Sequence, residues 1–213
     1  MAAISQQGAP LPVIAALLAE AFAADPGMRY ICQAKRAGYE RRLANWFGAT
    51  LRLQCDNQQP ILTLHDHGEI VGSATLTNPA TRLTSGSMAR WVGGLLTQVG
   101  WVSLWRSMRY ILRLEDYYPQ QPHHRLEFIA VSPICQGSGY GRRLLADIHQ
   151  LVADDEASTG LWPETTNPAK VGFYQHLGYA LTDHVTMFAE VEAFMMFRPA
   201  ASLRQPLPMT RKT

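Results

Sequence analysis

Cysteine is scarce in this chain. Cys32, Cys55 and Cys135 are the only ones among 213 residues. They are odd in number and without C-x-x-C spacing, so neither a disulfide framework nor a cysteine-built zinc site is indicated. A reducing, cytoplasmic setting is expected. A strong charge of either sign is also missing: 19 Lys and Arg against 17 Asp and Glu leave a net +2, too little to argue for a nucleic-acid partner. Long apolar runs are lacking as well. The most membrane-like stretch, WVGGLLTQVGWVSLW over 91–105, lies between Arg90 and Arg106 and carries Thr, Gln, Ser and three glycines, whereas a span needs about 20 mainly apolar residues. The run PVIAALLAEAFAA over 12–24 has no Lys or Arg before it and is interrupted by Glu20. That argues against a secretory leader and for an amphipathic helix with Val13, Leu17 and Phe22 among its apolar positions. No membrane partner is expected.

What is present describes one globular domain. The chain is 47% hydrophobic and 17% charged, is long enough for one substantial core, and shows no repeat, low-complexity segment or long linker. We expect a single domain over 1–203 and a loose tail, RQPLPMTRKT, over 204–213. Tyr39, Leu43, Trp46, Phe47 and Leu51 recur at helical spacing and predict a helix over roughly 36–54. ILTLHDHGEIVGSATLT, 61–77, predicts a hairpin that turns near Asp66 and Gly68. Residues 84–116 read as a long helical insertion broken near Gly93 and Gly94, with Trp91, Leu95, Val99, Val102, Trp105 and Ile111 on its apolar positions. LEFIAVS, 126–132, has few polar residues and predicts a central strand.

Directly after that strand, VSPICQGSGYGRRLL places three glycines within five residues. Leu144, Leu145, Ile148, Leu151 and Val152 then follow at the spacing of an amphipathic helix. Bare backbone that opens a helix offers unpaired N–H groups and the positive end of the helix dipole, which together make an anion site. The dinucleotide fingerprint fails, because Arg142 stands where a third glycine belongs. The phosphate loop of NTPases fails too, since no Gly-Lys-Ser/Thr occurs in the chain. Further on, TGLWPE predicts a short strand, and Asn167-Pro168 a helix cap and first residue, with Gly178 as the stop. YALTDH and VTMFAEVEAFMMF predict a closing pair of strands.

The remaining pattern is Gln-x-x-Gly-x-Gly: Gln136, Gly139 and Gly141, after Val131 and Pro133 and before Leu144 and Leu145. It resembles the acyl-CoA-binding motif of the GNAT (Gcn5-related) N-acetyltransferases. NPAKVGFYQHLGYA, 167–180, is similar to a second segment of that family through Asn167, Ala169, Phe173, Tyr174, Gly178 and Tyr179. The two motifs span about the C-terminal third of the chain. Within the family the likeness is to puromycin N-acetyltransferase and its relatives, through His123 and Leu126 at the strand entry and the Glu-Thr that precedes the last helix. This chain departs from them at His124 and Arg125, where they favour aromatics, so the acceptor is not carried over.

The resemblance implies an α/β fold, a mixed central sheet flanked by helices, with the long helical insertion before the central strand. It implies acetyl-CoA as cosubstrate, a primary amine as acceptor, direct attack in a ternary complex, and no metal; the long insertion between strands argues for an enclosed small-molecule site. The amides of Gly137, Ser138, Gly139, Tyr140 and Gly141 are expected to converge on the CoA pyrophosphate, with Arg142 beside them. The backbone of Ile129, Ala130 and Val131 is expected to pair with pantetheine, with Asn167 and Phe173 also near CoA. Strand parity puts Arg125, Glu127, Ile129 and Val131 on one face, which makes Glu127 the base candidate; a carboxylate merely paired with Arg125 is the alternative. Tyr174 matches the family's tyrosine near the CoA sulfur, and a core tyrosine is the competing reading.

Lower candidates are His65-Asp66-His67, read as a polar loop rather than a metal site; His123 and His124, read as solvated loop histidines; and Cys135, with no partner to activate it. Glu115 or Asp116, at the end of the insertion, would attract an ammonium if that segment covers the acceptor. The rival functions are protein N-terminal or lysine acetylation and a non-catalytic acyl-CoA sensor, and a homodimer is left open.

Overall fold

Two short-range patterns anchor the architecture, the 61–77 hairpin and the strand-loop-helix unit around Gly139. The computed structural model describes residues 3–5, 10–188 and 191–203; the expected tail over 204–213 lies outside them. Seven strands form one sheet: β1 (Ala3–Ser5), β2 (Ile61–Asp66), β3 (Glu69–Thr77), β4 (His124–Val131), β5 (Gly160–Thr165), β6 (Ala180–Phe188) and β7 (Val191–Pro199). Their order is β1-β2-β3-β4-β5-β7-β6. Among the described residues only β4 and β5 pair in parallel, so the sheet is mixed, as expected. At Gly160 a side chain would fall on the Arg198 carbonyl of β7, and glycine alone permits that approach.

One face of the sheet carries α1 (Leu11–Ala21), α2 (Pro26–Ile31), α3 (Tyr39–Asp56), α4 (Ser85–Gln98) and α5 (Trp101–Leu114). The other carries α6 (Tyr140–Asp154) and α7 (Pro168–His176), with α8 (Ala200–Leu203) at the end of β7. Phe128 of β4 meets Phe22, Trp46 and Phe47 edge to face, at centroid distances of 5.9, 5.8 and 5.2 Å. Such pairs contribute about 0.5–1.5 kcal/mol each beyond burial, and they clamp α1 and α3 to the central strand. On the far face Leu144, Leu145, Ile148 and Val152 of α6 are fully buried, as their spacing predicts.

The insertion departs from expectation. Its break lies at Gly100, whose φ of 108° no other residue adopts without strain, and not at Gly93 and Gly94. Those two glycines stay inside α4, where Gly94 faces the Ala49 methyl of α3. The break resets the helical phase. Trp105 and Ile111, expected on the buried side, are exposed, and Ser103, Ser107, Tyr110 and Leu114 form the buried stripe of α5. The two serines hide that stripe from a hydrophobicity pattern; Ser107 accepts the Trp46 indole N–H at 2.9 Å and Ser103 accepts from Gln33 at 3.1 Å. Helix α2 was not expected either. Its signal is Asp25-Pro26, a cap and first-turn proline like Asn167-Pro168, and the Asp25 carboxylate accepts the Met28 N–H at 2.9 Å.

Candidate functional site

The parallel ladder between β4 and β5 runs from His124 opposite Leu161 to Leu126 opposite Pro163, and stops. Pro163 has no N–H to continue it. Beyond this point β4 remains with β3, while β5 pairs with β7 through Glu164 opposite Met195 and Thr165 opposite Phe194. A cleft therefore opens, and the first residue past the split on each strand is a glutamate, Glu127 and Glu164. A cavity of about 1400 Å³ fills the cleft and extends from Gly137 and Gly139 at one end to Asp25 and Tyr110 at the other.

The glycine end is a backbone cradle. Gly137 and Gly139 both have φ of 82°, and a Cβ at either would meet no protein atom. Their bareness is therefore required by the left-handed turn and by whatever approaches it, and not by packing. Gly139 caps α6, and among the described residues the amides of Gly139, Tyr140 and Gly141 have no protein acceptor. The Gln136 side chain donates to the Val131 carbonyl at 3.3 Å, and the Tyr140 hydroxyl donates to Asp66 at 2.6 Å. That second bond ties the start of α6 to the β2–β3 turn and lowers the Asp66 pKa. Gln136, Gly137, Gly139, Tyr140, Gly141 and Arg142 all line the cavity; Ser138 is exposed on the same loop.

Strand β4 forms the long wall, and here the expected parity fails. Thr75 pairs with Phe128 but Leu76 with Leu126, so Glu127 is the extra residue of a β-bulge. Past the bulge every side chain changes face. Ile129 and Val131 pack with Leu126 toward α6, and Phe128 and Ala130 point to the other core; Arg125 and Glu127 do not share a face with Ile129 and Val131. The bulge leaves Glu127 in the cleft with two partners, the Thr77 hydroxyl at 2.6 Å and the Arg125 guanidinium at 3.2 Å. Arg125 in turn lies over the Tyr118 ring, 4.7 Å from its centroid.

The far end is a chamber assembled from distant parts of the chain. Phe22, Met28, Trp46, Trp91, Met108 and Phe128 supply much of its wall. Its floor is acidic. Glu164 accepts the Tyr110 hydroxyl at 2.6 Å, and beside it Asp25 accepts the Thr166 hydroxyl at 2.9 Å. The exposed part of Glu164 faces the cavity. Burial, together with the Asp25 and Glu127 charges, pushes its carboxyl up to about 8 against the opposing Tyr110 bond. Burial likewise raises Asp25. Sequence reasoning missed Glu164 as a site residue, since nothing around it marks a carboxyl that ends up across a cleft from Glu127.

Tyr174 of α7 lies within reach of the Glu164 charge. It is 6% exposed and lines the cavity, and its hydroxyl has no hydrogen-bond partner among the described residues. Burial, helped by the Glu164 charge, raises its pKa, so the phenol keeps its proton. Asn167 caps α7 by accepting the Ala169 N–H at 3.1 Å and, with the half-exposed Phe173, lines the cavity too. From the insertion, Ile111, Leu112, Glu115 and Tyr118 line the chamber, whereas Trp105 and Asp116 do not.

The histidines separate. His124, expected to be solvated, is 1% exposed, with Ser158 at 3.0 Å and Asp155 at 3.5 Å. It sits within the β4–β5 pairing because the strand starts one turn of pleat earlier than its apolar run. His123 packs beside Tyr118 and Trp162, and burial lowers its pKa. His65 contacts Thr63 at 3.0 Å and His67 occupies the turn with φ of 48°. Cys135 is half-buried at the cradle. Among the described residues no helix is long and apolar enough to cross a membrane, and no group of three metal-ligating side chains occurs.

Comparison with known proteins bears on this geometry. The family model described as Acetyltransferase (GNAT) family matches residues 28–179. No curated protein sequence matches the chain. Among solved structures, "histone acetyltransferase HPA2 and related acetyltransferase" from Corynebacterium glutamicum is similar at a TM-score of 0.69 and 22% identity, over 98% of each chain. The ribosomal-protein-S18-alanine N-acetyltransferase of Escherichia coli is similar at a TM-score of 0.51 and 17% identity, over 94% of each chain. At such identities the likeness establishes the fold.

Proposed function

The chain belongs to the GNAT acetyltransferase family, and from that premise we propose that it moves the acetyl group of acetyl-CoA to the primary amine of a small, largely apolar molecule, by direct attack in a ternary complex. One observation carries the reading: a single cavity joins a cradle of unpaired amides to an acidic chamber walled by aromatic and methionine side chains. The cradle suits the pyrophosphate of CoA. The chamber suits an ammonium group on an apolar body, because carboxylates attract the cation and the walls exclude water. The insertion helix α5, whose Ile111 and Leu112 line the chamber, supports an enclosed small-molecule site.

The reaction asks for a base to free the amine, a donor for the departing thiolate and alignment of the two reactants. Tyr174, a neutral phenol on the wall of that cavity, is suited to protonate the CoA thiolate as the C–S bond breaks. The proton is returned to it by the new amide nitrogen. A panel of small primary amines, followed by release of free CoA thiol, tests the function. Transfer to apolar amines and not to peptide N-termini or lysines is expected; CoA binding without transfer to any amine would leave an acyl-CoA sensor and overturn the reading.

A further inference from the structure

Resting on the acetyl-transfer reading, we propose that Glu164 is the catalytic residue that takes the proton from the acceptor ammonium, and that Glu127 is a positioning residue. The two carboxylates flank the same cleft, one past the last β4–β5 pair on each strand, but they differ in what holds them. Glu127 is neutralised by Arg125 at 3.2 Å and bonded by Thr77 at 2.6 Å. Its charge is committed, and through Arg125 it fixes the Tyr118 ring that lines the chamber. Glu164 has no cationic partner among the described residues. Tyr110 occupies one of its oxygens, and the residue lies on the cavity beside Tyr174, the proposed acid.

The groups that face Glu164 are Tyr110 from α5, Asp25 from the turn before α2, Glu127 from β4, Tyr174 from α7 and, further out, Tyr118. Burial is the first cause of its raised pKa and none of these groups is a cation to offset it, so its carboxylate is a stronger base than an ordinary one, with a midpoint of about 8. General bases work best when their pKa lies near the working pH. The ammonium passes one proton to the Glu164 carboxylate, and the freed lone pair forms the C–N bond at the thioester carbon. The C–S bond then breaks, and the thiolate takes the Tyr174 proton. The nitrogen's second proton restores the phenol, and Glu164 releases its proton to water.

The experiment takes an acceptor identified by the amine panel and measures kcat and KM against pH for wild type, Glu164→Gln and Glu127→Gln. The carboxyl infrared bands of the same proteins, free of substrate, are followed through the titration. Expected for wild type is a rise of kcat/KM with pH about a midpoint near 8. Glu164→Gln should lose about 10²- to 10⁴-fold in kcat, together with the alkaline rise and one carboxyl band titrating in that range. Glu127→Gln should keep the rise and the band and act mainly through the KM of the amine. Retention of normal kcat and the alkaline rise in Glu164→Gln, or their loss in Glu127→Gln instead, overturns the assignment while acetyl transfer stands. The infrared titration reports on Glu164 without turnover, so a band that survives Glu164→Gln also overturns it.

Discussion

The cradle and the chamber share one cavity, yet they are built in opposite ways. The cradle is a run of eleven residues, Val131 to Gly141, whose useful groups are backbone amides, and its geometry follows from two glycines with positive φ and the start of α6. The chamber draws Asp25, Trp46, Tyr110 and Glu164 from four separate elements, and its useful groups are side chains whose character depends on burial. The first can be recognised locally and the second only once the chain is folded. A GNAT domain can therefore keep its cofactor site while its acceptor site changes through substitutions that leave no motif.

The largest effect that would sharpen this division is expected at Tyr174, which lines the shared cavity. Tyr174→Phe removes one oxygen and keeps the ring, so single-turnover acetyl transfer should fall on the order of a hundredfold with CoA affinity unchanged; normal single-turnover chemistry would make Tyr174 a core residue. In the cradle, Gly139→Val should do the converse. A β-branched residue at φ of 82° costs about 1–2 kcal/mol, which the free loop relieves by leaving the cradle conformation, and adds bulk where phosphate approaches, so CoA affinity should drop roughly 5- to 30-fold or more. Calorimetric titration of CoA into the folded variant checks it, and unchanged affinity would break the assignment of the loop.

Smaller shifts separate the two regions by pH. Tyr110→Phe removes the bond that lowers the Glu164 pKa. A hydrogen bond to a charged group contributes about 1.5–3 kcal/mol, so the alkaline midpoint should move up by about one unit or more. In stability the signs oppose. Glu164 is raised on folding, so its contribution is complete below its ordinary 4.5 and is lost as pH rises through about 8. On α6, His149 accepts from Arg198 at 3.2 Å and meets the Tyr179 hydroxyl at 2.7 Å. Burial and then the Arg198 charge depress it from 6.5 to about 3, so its contribution is present above 6.5 and is lost as pH falls toward 3. Each group changes unfolding free energy by at most about 1.4 kcal/mol per pH unit. Denaturant melts of Glu164→Gln should lose the alkaline slope and keep the acid one. Least of all, Asn167→Ala should cost about 0.5–2 kcal/mol through the lost α7 cap, visible in the same melts.

Much of the molecule was legible because its signals are short in range. The 61–77 hairpin, the α6 face of Leu144, Leu145, Ile148 and Val152, and the Asn167-Pro168 cap follow from spacing and local hydrogen bonding alone. Two of the misreadings share one cause, a local event that shifts phase. Gly100 rotates α5 so that serines face inward and Trp105 outward, and the bulge at Glu127 reverses the faces of β4 beyond it. A hydrophobicity pattern carries through such points as if the period were unbroken.

By itself the sequence determined the strand-loop-helix unit around Gly139 and the bare loop before α6, because glycine conformation and helix capping are settled among near neighbours. Only the tertiary structure decided which carboxylate lacks a counter-charge. Glu127 and Glu164 are the same residue type on adjacent strands, and they part because one meets Arg125 while the other lies among Tyr110, Asp25 and Tyr174. A carboxyl's pKa depends on the charges and water around it, and those neighbours are brought together by folding alone.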